Sequence, residues 1–190
     1  MRCSWCGDLP IYVSYHDTEW GVPEFDSRAL WEKLVLDGFQ AGLSWLTILK
    51  KRDAFREAFQ GFDPERVARM TEEDVEKMLQ NPAIIRHRGK INAAIGGARI
   101  WLQLEESGQG FAPLIWDYVN GAPMQNAYDA QSDVPTQDAL STRISKDLRA
   151  QGFTFVGPTI VYAWMEACGL MNNHLTGCFR HSEVARLNQG

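Results

Sequence analysis

The chain has 190 residues, a formal net charge of −5, 45% apolar and 23% charged residues: a globular composition, long enough for one core or two small lobes. A net acidic chain is not built to coat nucleic acid non-specifically, although a local basic patch is compatible with it. No run nears the roughly 20 apolar residues of a membrane span, and Met1-Arg2-Cys3-Ser4-Trp5 leads into no signal-like apolar region, so a cytoplasmic setting is expected, with the four cysteines as thiols or metal ligands.

Residues 1–25 are rich in Cys, Trp, Tyr and His and poor in helical periodicity, which predicts an ordered, irregular arm. A helix is expected from Asp26 or Ser27 to about Asp37, after which Gly38 and Gly42 break it. Leu30, Leu34 and Asp37 are spaced to share one face of that helix, which places a carboxylate among leucines. Such an acid is costly to bury unless paired; the plain alternative is a surface acid near a helix end. Ser44 caps a helix from Trp45 to Phe59. Asp63-Pro64 starts a short helix to Met70, and Thr71 with Asp74 forms a capping box ahead of Val75, Met78 and Leu79. Pro82 ends that helix. A long helix follows Arg86-His87-Arg88, with Ile91, Ala94, Ile95, Ala98, Trp101 and Leu102 on one face and Gly96-Gly97 as a point of close packing. Residues 107–135 read as loop with one short helix near Leu114–Val119. Thr136 caps a helix to Ala150, and Gly157-Pro158 opens a final one, Ile160 to Cys168. The class is all-α, about eight helices in a single compact unit over 1–190, or in two helical lobes with a pocket between them.

Three constellations could carry chemistry. Cys3 and His16, with twelve residues between them, and His174 and Cys178, with three, make a set of two Cys and two His. Four such ligands close a tetrahedral structural zinc site, whereas a catalytic zinc keeps a position open for water. Cys6 could replace His16, because Cys3-Ser-Trp-Cys6 is itself a C-x2-C pair, and spacing does not choose between them. The aromatic residues Trp5, Tyr12, Tyr15 and Trp20, with Trp45 beyond, could sandwich a planar ring or simply pack around the metal. Arg86-His87-Arg88-Gly89-Lys90 lies between two helices, and from Ala83 to Arg99 there are four basic residues and no acid, as suits a phosphate grip at a helix N-terminus; a solvated charged face is the alternative, and the more natural one for Lys50-Lys51-Arg52.

With these residues in view, the chain resembles the constitutive bacterial 3-methyladenine DNA glycosylases of type I. The likeness runs from Cys3 to about Cys178 and rests on Tyr15-His-Asp-Thr-Glu-Trp-Gly-Val-Pro23, Gln40-Ala-Gly-Leu-Ser-Trp45, Ile84-Ile-Arg-His-Arg-Gly-Lys90, Phe155-Val-Gly157 and Ala167-Cys-Gly-Leu170 leading to His174. The resemblance implies a helix–hairpin–helix glycosylase that flips 3-methyladenine out of alkylated duplex DNA, releases it as the free base and leaves an abasic site. It implies one structural zinc per chain, held by Cys3, His16, His174 and Cys178, joining the arm 1–25 to the segment 170–180, with Cys6 a spare thiol. It places Tyr12, Tyr15, Trp20 and Trp45 in the base pocket with Trp5 at its border, and Asp37 where the best-known members carry Glu against the adenine edge. Gln40 and Leu43 become candidates to fill the gap in the duplex, and Arg86, Arg88 and Lys90 candidates to hold DNA. A monomer without lyase activity is expected. The competing readings are a zinc-stabilised DNA-binding module without chemistry and, more distantly, a zinc hydrolase of a small molecule.

Overall fold

The computed structural model describes residues 1–187. It is mostly helical: α1 (Pro10–Thr18), α2 (Ser27–Gln40), α3 (Trp45–Ala58), α4 (Pro64–Ala68), α5 (Glu72–Gln80), α6 (Arg88–Glu106), α7 (Phe111–Asp117), α8 (Ala139–Ala150), α9 (Pro158–Ala167) and α10 (Phe179–Leu187). Two short strands, β1 (Met124–Gln125) and β2 (Met171–Asn172), pair in parallel and tie the long loop after α7 to the segment that follows α9. No helix among the described residues is long and apolar enough to cross a membrane.

α2 is the axis of the molecule. Its apolar residues are spaced for burial on several sides, and it packs on α3, α6, α7 and α9. Leu30, Trp31, Leu34, Leu36 and Phe39 are all buried. Trp164 of α9 donates its indole N–H to the Leu30 carbonyl at 3.0 Å, which satisfies a polar atom inside the core. α6 meets α2 through Ile91, Ala94 and Ala98; at Gly97 an added Cβ would lie 3.2 Å from the Trp31 indole nitrogen, so the glycine permits close packing there. Trp101 stands at the margin of that face and donates to the Ser27 carbonyl at 3.1 Å.

The caps follow the expected chemistry in most places. Asp26 accepts from Ala29 N at 2.8 Å, Ser44 from Thr47 N at 3.3 Å and Asp63 from Glu65 N at 3.1 Å, while Thr71 N donates to Asp74 at 2.9 Å.

Five features depart from the reading of the sequence. The arm contains a helix, α1, with Pro10 at its first position; the periodicity is hidden because Tyr12, Tyr15 and His16 occupy the inward face in place of aliphatic residues. Gly38 does not end α2, which runs to Gln40; a Cβ at Gly38 would lie 3.4 Å from the Phe155 carbonyl, so the residue serves a close approach rather than a break. Asp138 caps α8 instead of Thr136, accepting from Ser141 N at 2.6 Å. α10 follows the segment at which the expected helices stop, and α7 begins at Phe111, three residues before the expected start.

Candidate active site and metal centre

The two ends of the described chain meet. Cys3, His16, His174 and Cys178 are buried, and their ligand atoms all lie within 4.8 Å of one another. Cys178 Sγ is 3.5 Å from His16 Nε2 and 3.7 Å from His174 Nδ1, and Cys3 Sγ is 3.7 Å from His174 Nδ1. A tetrahedral ion with bonds of about 2.0–2.3 Å spaces its ligands about 3.3–3.8 Å apart, so the cluster has the dimensions of a metal site. The outer contacts agree. His16 Nδ1 bonds Asp17 at 2.8 Å, and Asp17 is held by Arg2; His174 Nε2 bonds the Trp20 carbonyl at 3.0 Å. Each ring therefore has its second nitrogen engaged, as metal-bound histidines do. Burial pushes the Cys3 thiol up and the His174 imidazole down, and a divalent cation bound there would displace the thiol protons.

Cys6 is buried but turned away: its thiol donates to the Cys3 carbonyl at 3.2 Å. Of the two sets that spacing left open, the structure gathers the one with His16. Two glycines make the convergence possible. Gly21 has φ +79°, and a Cβ there would lie 3.0 Å from the His174 ring; Gly169 has φ +70°, and a Cβ there would lie 2.5 Å from Pro23 N.

Against this cluster lies a cleft of about 550 Å³ between α1, α2, α3 and α9. Trp5, Tyr12, Tyr15, Trp20 and Trp45 form its aromatic wall. Trp5 stands 5.0 Å from the Tyr12 ring and 5.0 Å, edge-on, from Trp20, while Tyr15 meets Trp45 at 5.4 Å. Trp20 also packs edge-on to His174 at 4.6 Å, so it backs the metal cluster and faces the cleft at once. The aromatic layer thus has one side on the Cys/His cluster and the other on the cleft.

Asp37 and Gln40 complete the α2 wall of the cleft. Asp37 is 2% exposed, and its Oδ2 is buried with no hydrogen-bond partner; the same holds for the indole nitrogen of Trp45. An orphaned acceptor and an orphaned donor in one cleft are a polar pair awaiting a guest. Burial raises the Asp37 carboxyl well above the usual carboxylate range, with Lys33 opposing the shift and Glu166 adding to it.

Glu166, a residue the reading of the sequence missed, lines the same cleft from α9 together with Ala163 and Ala167, and Gln131 approaches from the loop after β1. Asn173 Nδ2 donates to Glu166 Oε1 at 2.8 Å, and burial pushes this carboxyl up to about 7. Ala163, Glu166 and Ala167 are spaced i, i+3, i+4, the one signal that could have pointed to a shared face.

The candidate DNA-contacting residues separate. Leu43 is 41% exposed at the tip of the α2–α3 turn, next to Gly42 with φ +83°. Arg86 is exposed, and no ion pair engages it among the described residues. Arg88 is paired with Glu72 and Glu76 of α5. Lys90 is placed differently from a phosphate grip: it is buried, and its ammonium donates to the carbonyls of Phe39 at 2.9 Å and Ala41 at 2.7 Å. Its stem reaches back to the unsatisfied carbonyls ending α2, which draws the charge inward. Lys51 donates to the Pro82 and Ala83 carbonyls, both at 3.0 Å, and Arg52 pairs with Glu19, so these two hold the fold together, whereas Lys50 is exposed as a solvated face requires.

Comparison with known proteins agrees with this geometry. A sequence model of the methyladenine glycosylase family matches residues 5–181. The chain is 51% identical over 177 residues to DNA-3-methyladenine glycosylase 1 of Escherichia coli, covering 93% of this chain and 95% of that one. It is 47% identical to the DNA-3-methyladenine glycosylase of Haemophilus influenzae, covering 93% and 96%. Among solved structures, 3-methyladenine DNA glycosylase I of Staphylococcus aureus superposes with a TM-score of 0.90 at 43% identity, over 94% of this chain and 95% of that one. A variant of 3-methyladenine DNA glycosylase I in complex with 3-methyladenine superposes at 0.91, also at 43% identity, over 94% and 96%. The chain belongs to the methyladenine glycosylase family.

Proposed function

We propose that this protein is a DNA-3-methyladenine glycosylase of base-excision repair, which hydrolyses the N-glycosidic bond of 3-methyladenine in alkylated duplex DNA. The observation that carries the reading is Asp37, a buried carboxylate with an unpartnered oxygen inside an aromatic cleft. Methylation at N3 makes the adenine cationic and its glycosidic bond weak. Extruding the nucleotide costs a few kcal/mol, least for a damaged base. Tyr12, Tyr15, Trp20 and Trp45, with Trp5 at the margin, take the flipped ring between π faces, which favour a cation. Asp37 orients the purine edge and offsets its charge while water attacks C1′. In the empty cleft burial favours the neutral acid, and the arriving cation draws it to the carboxylate, so the interaction discriminates for charged bases. A base already primed to leave needs little protonation. Lys33 donates to the Ala167 carbonyl at 3.1 Å and Lys90 to α2, so neither is placed as a Schiff-base nucleophile.

Gln40 and Leu43, at the mouth of the cleft, fill the space the extruded nucleotide leaves. Arg86 and the start of α6 hold the backbone. Cys3, His16, His174 and Cys178 hold one structural zinc, which clasps the ends of a single compact domain; all four positions are protein ligands, so it supplies cohesion rather than a bound hydroxide. The protein acts on DNA as a monomer.

Chromatography of bases released from methylated duplex DNA tests the reading. Release of 3-methyladenine, with 7-methylguanine left in place, is the expected result. No release from folded, metal-bound protein would move the binding-module reading to the front.

A further inference from the structure

Glu166 is not used by the mechanism above, yet it is a carboxyl in the same cleft as Asp37. Its placement is specific. Ala163 and Ala167 flank it on the same face of α9 and leave it room. Asn173, 2% exposed, donates from one amide nitrogen to Glu166 Oε1 at 2.8 Å and to the Tyr162 hydroxyl at 2.9 Å, while its own oxygen accepts from Asn126 at 2.7 Å. The amide is fully used, so Oε1 is locked. No protein hydrogen bond engages Oε2 among the described residues.

Two carboxyls in one partly dry cleft repel unless a positive charge stands near both. The cation at hand, Lys33, favours Asp37 but donates to the Ala167 carbonyl, and no lysine or arginine lines the cleft among the described residues. Without a guest the proton that burial keeps on Asp37 relieves that repulsion, and a cationic guest would let both acids ionise. Asp37 from α2 and Glu166 from α9 thus present two carboxyls to one cleft. We propose that Glu166 is a second base-contacting carboxylate, which shares the cationic purine with Asp37 and sets the preference of the cleft for charged over neutral bases. This rests on the glycosylase reading.

The test is equilibrium binding, read from the tryptophans of the cleft, of two bases at pH 8: the fixed cation 3,9-dimethyladeninium and the uncharged free base 3-methyladenine. Glu166→Gln keeps an acceptor for Asn173 and removes the charge, so a purely structural role survives it. The variant should lose about tenfold in affinity for the cation, the weight of a charged hydrogen bond, and stay within about twofold for the neutral base. Cation affinity within twofold of wild type, or an equal loss for both bases, would overturn the proposal. Should Glu166→Gln not fold, Glu166→Met, uncharged and of similar volume, is read by the same ratio. Failure of the glycosylase reading looks different: wild-type protein would then release no 3-methyladenine from DNA, whereas failure of this inference leaves release intact and the ratio unchanged.

Discussion

Asp37 is held at a cost, because a carboxyl buried without a full set of partners destabilises the fold that carries it. Replacing it with Asn keeps the volume and removes the charge. Base release by Asp37→Asn should fall by about 100-fold while binding to undamaged duplex is unchanged; single-turnover release and a binding titration, side by side, separate the two. The stability of that variant should equal or exceed that of wild type, as expected where strain serves function. Arg86, exposed and outside any ion pair among the described residues, is the residue we propose as a phosphate contact. Arg86→Ala should weaken DNA binding similarly on all sequences and reduce the slope of log affinity against log salt by about 1. An unchanged slope would remove Arg86 from the interface. The phase of α2 raised a buried acid but left a surface acid as the alternative, and only the fold buries Asp37; Glu166 was not legible at all, because it is 129 positions away along the chain, and nothing in the sequence between them reports that both enter one cleft.

At the scale of elements, the α2–α3 turn is braced from α6. Lys90 neutralises the carbonyl end of α2 just beyond Asp37 and Gln40, and so couples the basic segment to the cleft wall. Lys90→Met leaves two carbonyls without their donor and should cost about 1–3 kcal/mol in chemical denaturation. Base release should fall with it, because the wall loosens, yet the salt slope of DNA binding should not move. A drop of about 1 in that slope would restore Lys90 to the phosphate contacts. The basic run at 86–90 shows why charge patterning stops short of function: its members look alike in sequence, but one is exposed, one is tied to α5 and one is buried under α2. α1 was hidden for a related reason. Helical periodicity is read from aliphatic residues, and where tyrosines and a histidine take the inward face, the stripe no longer reads as hydrophobic.

For the whole molecule, the Cys3, His16, His174 and Cys178 cluster, with the ion we propose it holds, closes a loop of nearly the full chain. Removing the metal by a chelator, or Cys178→Ser, should cost about 3 kcal/mol or more, lowering Tm by roughly 6–12 °C for a chain of this size; Cys6→Ser should retain one metal per chain and the wild-type Tm. Equal losses from both cysteine variants would mean that the thiols only pack. Local chemistry in the sequence determined the all-α class, most helix caps and the residue types of the site, because capping, periodicity and ligand chemistry act over a few positions. Among the geometric questions, tertiary structure decided that His16 and not Cys6 joins the cluster, which basic residues face outward and that a second carboxyl enters the cleft, because each depends on which distant helix faces pack together, and packing is set by the whole core at once.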